Sequence, residues 1–387
     1  MSFLKGSVSF IRLSTNLAKP RSFGDSHLEC LRRHCAGTQR FSSADGVEIG
    51  WAAGDSVLDT DFTELKNVWP DHLAFDFWVM TNKLPADLLQ AYYQVELRAL
   101  AKNNPSGFAS ARQKREAKQS ARDRLEEEAR DGRFKKRKCI PVLWDSITGE
   151  ILFGSTSSAM LDRFVRLFFD TFEGELWTIS AGRLAERMFA PARDLVLARF
   201  VPGVTPDECA WQPDAGGPPD FLGDEFLLWL WHYSDAVGDT VTLPDGTVAT
   251  FMFSGGVNVD DPRGQTGHGT LNSTSAVRLP EAKTAVRYGK LPRKAAFTVV
   301  RQSEQFSFVL QAETLAVTSG KLPPPPEDVN GRAREEHRLQ ATRDLIEAID
   351  RLFEEFLTRR LAPSWGGELE DMQQWLAGRG SRVDKEE

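Results

Sequence analysis

The chain has 387 residues, 41% hydrophobic, 27% charged and 10% aromatic, with 30 Gly and 20 Pro, which excludes collagen-like, fully disordered and disulfide-scaffold classes and allows two or three domains. The net charge of −7 argues against a generic nucleic-acid binder, and no uninterrupted apolar run of about 18 residues is present to cross a membrane. Four scattered cysteines (Cys30, Cys35, Cys139, Cys209) form no CxxC pair, which fits reduced thiols in the cytoplasm better than a zinc site. The basic first 24 residues have no apolar h-region and read as the start of the fold, not as a targeting segment.

In chain order, a strand is expected over 6–13, then a helix over 25–35 with Leu28, Leu31 and Cys35 on one face. Val47 to Ala52 alternates as a strand, and Leu73 to Met80 is an aromatic-rich strand. Pro85 suits the first turn of a helix over Ala86–Lys102, and the cluster at 103–107 breaks it. A second helix over 108–130 has only Phe108 and Leu125 as large apolar residues, so the two helices are expected to project as a solvent-exposed hairpin. Ile140, Val142 and Trp144 alternate, residues 145–149 turn, Ile151 to Phe153 pairs back, and a helix follows over Ser157–Thr171.

Residues 202–220 read as a surface connection, and Phe221–Tyr233 as a helix apolar on more than one side and therefore buried. Val241–Phe253 reads as a hairpin around Pro244-Asp245-Gly246, 254–274 as a loop, and Ala295–Val300 with Phe306–Leu310 as two strands. Pro323 to Pro326 is a stiff linker, and a helix through Leu339, Leu345, Leu352 and Phe356 ends the fold before a polar tail. The expectation is an α+β protein with mixed or antiparallel sheets. Residues 1–82 plus 139–200 form a discontinuous central domain, 83–138 a protruding basic hairpin, and 201–387 a C-terminal α+β domain.

The charge is segregated. Residues 98–138 hold 14 basic against six acidic residues, a local +8, and residues 278–301 hold seven basic residues against Glu281, a local +6. Such asymmetry on an acidic background suits a polyanion partner. In the first stretch Lys114, Arg115, Lys118, Arg122 and the run Arg133-Phe134-Lys135-Lys136-Arg137-Lys138 are candidate DNA contacts, because bases neutralise phosphates and an aromatic among them can stack on a base. The alternative is a solvated run with Phe134 packed inward. In the second, strand-like stretch the candidates are Arg278, Lys283, Arg287, Lys290, Arg293 and Lys294, or these are simply the solvent face of a sheet.

Signatures of catalysis are poor: there is no P-loop, GxGxxG or HExxH, and the six histidines (27, 34, 72, 232, 268, 337) show no metal-ligand spacing beyond a His27, Cys30, His34 face. No cofactor and no metal are expected. A metal-dependent nuclease would need clustered carboxylates and a lysine, for which Asp245 with Glu281 and Lys283, or Asp59 and Asp61 with Glu64 and Lys66, are weak candidates. His232, inside an aromatic helix, reads as a core histidine rather than a base.

The ordered set Phe3-Leu4-Lys5, Ser9 to Ser14, Gly50-Trp51, Lys83-Leu84-Pro85, the basic two-helix excursion with Phe134, Leu143-Trp144-Asp145, Gly149-Glu150-Ile151, Arg278-Leu279, Gly289-Lys290-Leu291 and Lys294 resembles the recombination-associated protein RdgC family over most of the chain. The resemblance implies a nucleoid-associated protein that binds double- and single-stranded DNA with little sequence preference and restrains RecA-type strand exchange. It further implies a ring-shaped head-to-head homodimer with a basic hole, in which Phe134 matches an aromatic gate residue and the segment ending at Arg278 a second DNA-contacting stretch. Ala276 and Val277 depart from the polar or basic family pattern, which shifts that contact toward Arg278, Lys283 or Arg287. A metal-dependent exonuclease, or an interaction scaffold that binds no DNA, are the competing expectations.

Overall fold

The computed structural model describes residues 3–37, 46–102, 104, 107–190, 217–261, 269–271 and 280–377. Among them are twelve strands joined by antiparallel ladders and ten α-helices, an α+β architecture. The strands are β1 (Val8–Thr15), β2 (Val47–Ala52), β3 (His72–Asn82), β4 (Lys135–Asp145), β5 (Ile151–Phe153), β6 (Leu176–Thr178), β7 (Thr240–Thr242), β8 (Val248–Asp260), β9 (Gly269–Leu271), β10 (Leu291–Arg301), β11 (Glu304–Gln311) and β12 (Val317–Lys321). Their order is β2-β3-β4-β5-β1-β12-β11-β10-β8-β7, with β6 on β1 and β9 on β8. β1 is the hinge of this order: Ile11 to Leu13 pair with β5, while Val8 and Phe10, across a bulge, pair with β12.

The period of two in the sequence decides which face each strand buries. Leu73, Phe75, Phe77 and Val79 of β3 and Ile140, Val142 and Trp144 of β4 enter one core with Trp51 of β2. Helix α5 (Ser158–Phe172) covers that face with Phe164, Leu167 and Phe168. Phe164 stacks on Phe153 at 4.4 Å between centroids, and the Trp51 indole donates to Thr171 Oγ1 at 2.8 Å, so that buried N–H is satisfied. Helix α1 (Asp25–Arg33) closes the same core with Leu28 and Leu31.

The larger core surrounds α7 (Phe221–His232), all twelve residues of which are buried, as its all-round apolar sequence requires. It packs on β8, β10 and β11 and beneath α9 (Arg332–Leu361) and α10 (Trp365–Leu376). A Cβ at Gly223 would lie 2.0 Å from the Ala312 carbonyl oxygen, so only glycine lets helix and sheet approach this closely. Glu225, also on α7, is fully buried and paired with Arg360 at 2.6 Å.

Three expectations are corrected. Residues 254–260 are not loop but the end of β8, which pairs Val257 with Ala295 and Asn258 with Lys294, and Gly269 to Leu271 form β9; the ladder to β10 overrides the local glycine content. Lys283 and Arg287 stand on a helix, α8 (Pro280–Arg287), not a strand. The segment after the long helix is not a polar tail throughout, because α10 buries Trp365, Leu369, Met372 and Trp375. Most of 202–220, together with Cys209, His268, Ala276, Val277 and Arg278, lies outside the described residues.

Candidate nucleic-acid interface

The chain leaves β3 at Asn82, makes two helices, α3 (Ala86–Lys102) and α4 (Ala111–Ala129), and returns as β4. Helix α4 turns Ala117, Ala121, Leu125 and Ala129, four residues apart, onto α3 and buries them. Its other faces are exposed, as the scarcity of large apolar residues foretold. A capping box starts it: Ser110 Oγ accepts the Gln113 N–H and Gln113 Oε1 accepts the Ser110 N–H. Asn104 braces the turn, donating to Gln113 Oε1 at 2.6 Å and to the Phe108 carbonyl at 2.7 Å.

The helix register divides the local +8 into zones. Residues 98–122, nearest the apex, carry seven bases against Glu116, a charge of +6; residues 123–133 carry five acids against three bases, −2; residues 135–138 carry +4. In the acidic collar the bases are occupied. Arg130 pairs with Glu127 at 2.9 Å and Arg133 with Asp131 at 2.6 Å, while Arg124 lies 4.3 Å over the Tyr92 ring and 3.8 Å from Glu128. Hydrogen bonding to Asp131 raises the Arg133 pKa and lowers that of Asp131. Toward the apex Lys114, Arg115 and Lys118 are exposed and make no ion pair with a described residue, whereas Arg122 is paired with Glu126 at 2.7 Å.

The aromatics divide differently from expectation. Phe134 is half-buried in the turn entering β4, beside the paired Arg133. Phe108, expected inside a helix, is in the apical turn before α4 and is 80% exposed, a position that a helix boundary shifted by three residues conceals. Lys135, Lys136, Arg137 and Lys138 are all exposed on β4, with Lys136 and Lys138 on the α5 face of the sheet and Lys135 and Arg137 on the other, because strand neighbours alternate.

The second basic stretch is largely consumed by the fold. Lys283 pairs with Asp235 at 2.7 Å, Arg287 donates to the Leu376 carbonyl, and Arg293 pairs with Glu313 and, at 3.5 Å, with Asp260. Burial opposes the Arg293 charge, but the Glu313 hydrogen bond holds its pKa up. Lys290 is partly exposed and Lys294 exposed. β10 lies five strand positions from β4, roughly 24 Å at the usual inter-strand spacing, so one chain does not gather the two stretches into a single patch.

Neither carboxylate set forms a metal cluster. Asp245 is bound to Arg301 at 2.7 Å while Lys283 is bound to Asp235, and Asp59 accepts Lys66 at 2.8 Å and the Asp61 N–H at 3.0 Å within its own turn. Among the described residues no three His, Cys, Asp or Glu side chains are grouped to hold a metal ion. His232 packs edge-on against Trp375 at 5.5 Å, and burial lowers its pKa to about 4. No described helix is long and apolar enough to cross a membrane. No family model matches the sequence, and no curated protein is significantly similar to it.

Proposed function

We propose that this protein binds double- and single-stranded DNA without sequence preference, through the apical half of the α3–α4 hairpin. The observation that carries the reading is the charge division of that hairpin: exposed Lys114, Arg115 and Lys118 stand in a +6 zone, set apart by a collar whose own bases are neutralised. Phosphate contacts of this kind supply affinity and carry no sequence information. Phe108 stands in the same apical zone, exposed for stacking on unpaired bases.

The resemblance to the RdgC family extends the proposal to a nucleoid-associated, ring-shaped homodimer in the cytoplasm that restrains RecA-type strand exchange.

The test is fluorescence anisotropy of a random-sequence duplex against salt. Replacing Lys114, Arg115 and Lys118 by Ala is expected to make the log-log salt slope shallower by about 2.7, at roughly 0.9 per phosphate contact. Replacing Arg124, Arg130 and Arg133 by Ala is expected to leave it within about one unit. Equal effects of the two triple variants, or absence of binding by the unaltered protein at low salt, would refute the proposal.

A further inference from the structure

Strand β5 is three residues long, yet it lies between two longer strands. Ile151, Leu152 and Phe153 pair with Trp144, Leu143 and Val142 of β4 on one side and with Leu13, Arg12 and Ile11 of β1 on the other. Gly154 adds a last bond, its N–H donating to the Pro141 carbonyl at 2.8 Å, and the chain then turns away. A Cβ at Gly154 would lie 2.6 Å from the Pro141 ring, so the strand ends against β4 at a glycine.

Beyond that point both neighbours continue, and among the described residues no strand stands between them. The space is a cavity of about 220 Å³ with Ser7 to Ser9 on one wall, Lys138 to Pro141 on the other and Gly154 at its closed end. Counting on from Gly154, which lies opposite Pro141, the next positions fall opposite Ile140, Cys139 and Lys138. The cavity therefore has the place and the length of about three missing strand residues.

The β4 wall is prepared for pairing. The Pro141 carbonyl points at β5, and backbone groups repeat their direction every second residue, so the N–H and C=O of Cys139 and Arg137 point into the same gap. No backbone hydrogen bond links those groups to a described residue on that side. From Lys138 at the cavity wall outward, the same open edge carries Lys138, Arg137, Lys136 and Lys135 in succession.

We propose that this gap is a docking slot for an extended segment of a partner protein, which adds a strand antiparallel to β4 and has two apolar residues followed by three or four acidic ones. The polarity follows from the register. Continuing β5, the first residue lies opposite Ile140 on the α5 face of the sheet and the second opposite Cys139 on the other face, and the next four lie opposite Lys138, Arg137, Lys136 and Lys135. Bases on a free edge also discourage random edge-to-edge pairing. A slot walled on both sides goes beyond that need and selects one entering strand. The slot is independent of the DNA reading.

The probe is acetyl-Ile-Val-Glu-Glu-Glu-Glu-amide with a C-terminal fluorophore, titrated into the full chain. Its partner in the comparison is the same composition in reverse order, acetyl-Glu-Glu-Glu-Glu-Val-Ile-amide. The slot requires saturable binding of the first peptide, at least tenfold tighter than the second. N-methylation of the Val amide, whose N–H would donate to the Cys139 carbonyl, must weaken it at least tenfold, and Arg137→Glu with Lys138→Glu must do the same. Amide hydrogen exchange at Cys139 must slow on binding. Equal affinity for the two orders would reduce the effect to charge attraction and overturn the proposal, as would absence of binding by the unaltered protein.

Discussion

Asp76, in the middle of β3, is 9% exposed and faces away from the aromatic core, with the Cys139 thiol as its hydrogen-bond partner. Burial raises its pKa to about 6, and burial together with the Asp76 charge pushes the Cys139 thiol up to about 12. A carboxyl whose pKa rises on folding favours the fold when protonated, so its contribution is fully present below the ordinary carboxylate range and is lost as pH rises through 6. Asp76→Asn is therefore expected to stabilise the protein at pH 7 by on the order of 2 kcal/mol, with the gain vanishing near pH 4, as read from urea unfolding at the two pH values. His72 and His232 act in the opposite sense: burial lowers both to about 4, so each remains neutral in the fold and costs stability as pH falls from 6.5 toward 4. His232→Gln is expected to flatten that acid limb, measured by the midpoint of thermal unfolding across pH 4 to 7. At this scale the sequence spoke clearly where a residue's neighbours are its own helix: His232 among FLLWLWH is a core histidine. It was silent where the neighbour comes from another strand, since nothing local to Asp76 announces Cys139.

Helix α4 shows why an element can be located by its sequence and still be misjudged. Its boundaries were legible to within a few residues, but its packing stripe is three alanines and one leucine, and alanine does not advertise a core. Ala121 is fully buried, so Ala121→Leu is expected to pry α3 from α4 at a cost of about 1–3 kcal/mol. Hydrogen exchange confined to residues 86–129 would show it, with little change in the rest of the protein and, under the proposed function, weaker DNA binding as the companion effect. The basic stretch 278–301 misled for the converse reason. Its charges are real, yet Lys283, Arg287 and Arg293 are spent on Asp235, the Leu376 carbonyl and Glu313, partners that lie 20 to 89 residues away in the chain. Local charge density counts bases and cannot count the acids that fold onto them.

At the scale of the whole molecule, the two cores meet at β1, and Arg12 fastens the meeting. Its buried guanidinium donates to Glu150 at 2.9 and 3.1 Å and to Asp350 of α9 at 2.8 Å, and Arg187 completes the cluster on Glu150 at 2.8 Å. Burial opposes the Arg12 charge, but the two carboxylates more than compensate and raise its pKa. Arg12→Met would leave two carboxylates short of a partner and is expected to cost about 3–5 kcal/mol in chemical denaturation, more than the exchange of both halves of an exposed pair such as Arg122 and Glu126, which should cost under about 1 kcal/mol. The α+β class and most strands were readable from alternation, while the placement of the first strand in the middle of the sheet was not, because pairing partners such as Leu152, 140 residues from Arg12, and Val317, 307 residues from Phe10, leave no periodic trace.

That placement bears on how the chain is born. As it leaves the ribosome, β1 gains β5 and β6 once residue 178 is out, whereas its Val8–Phe10 edge waits for Val317 to Lys321. About 140 further residues separate the two events, a wait of roughly 7 to 30 s at 5–20 residues per second. Through that interval the nascent chain carries an open strand beside a finished core. A chaperone or the ribosome surface has that long to shield it, and slowing translation between residues 178 and 317 should raise aggregation of the full-length product.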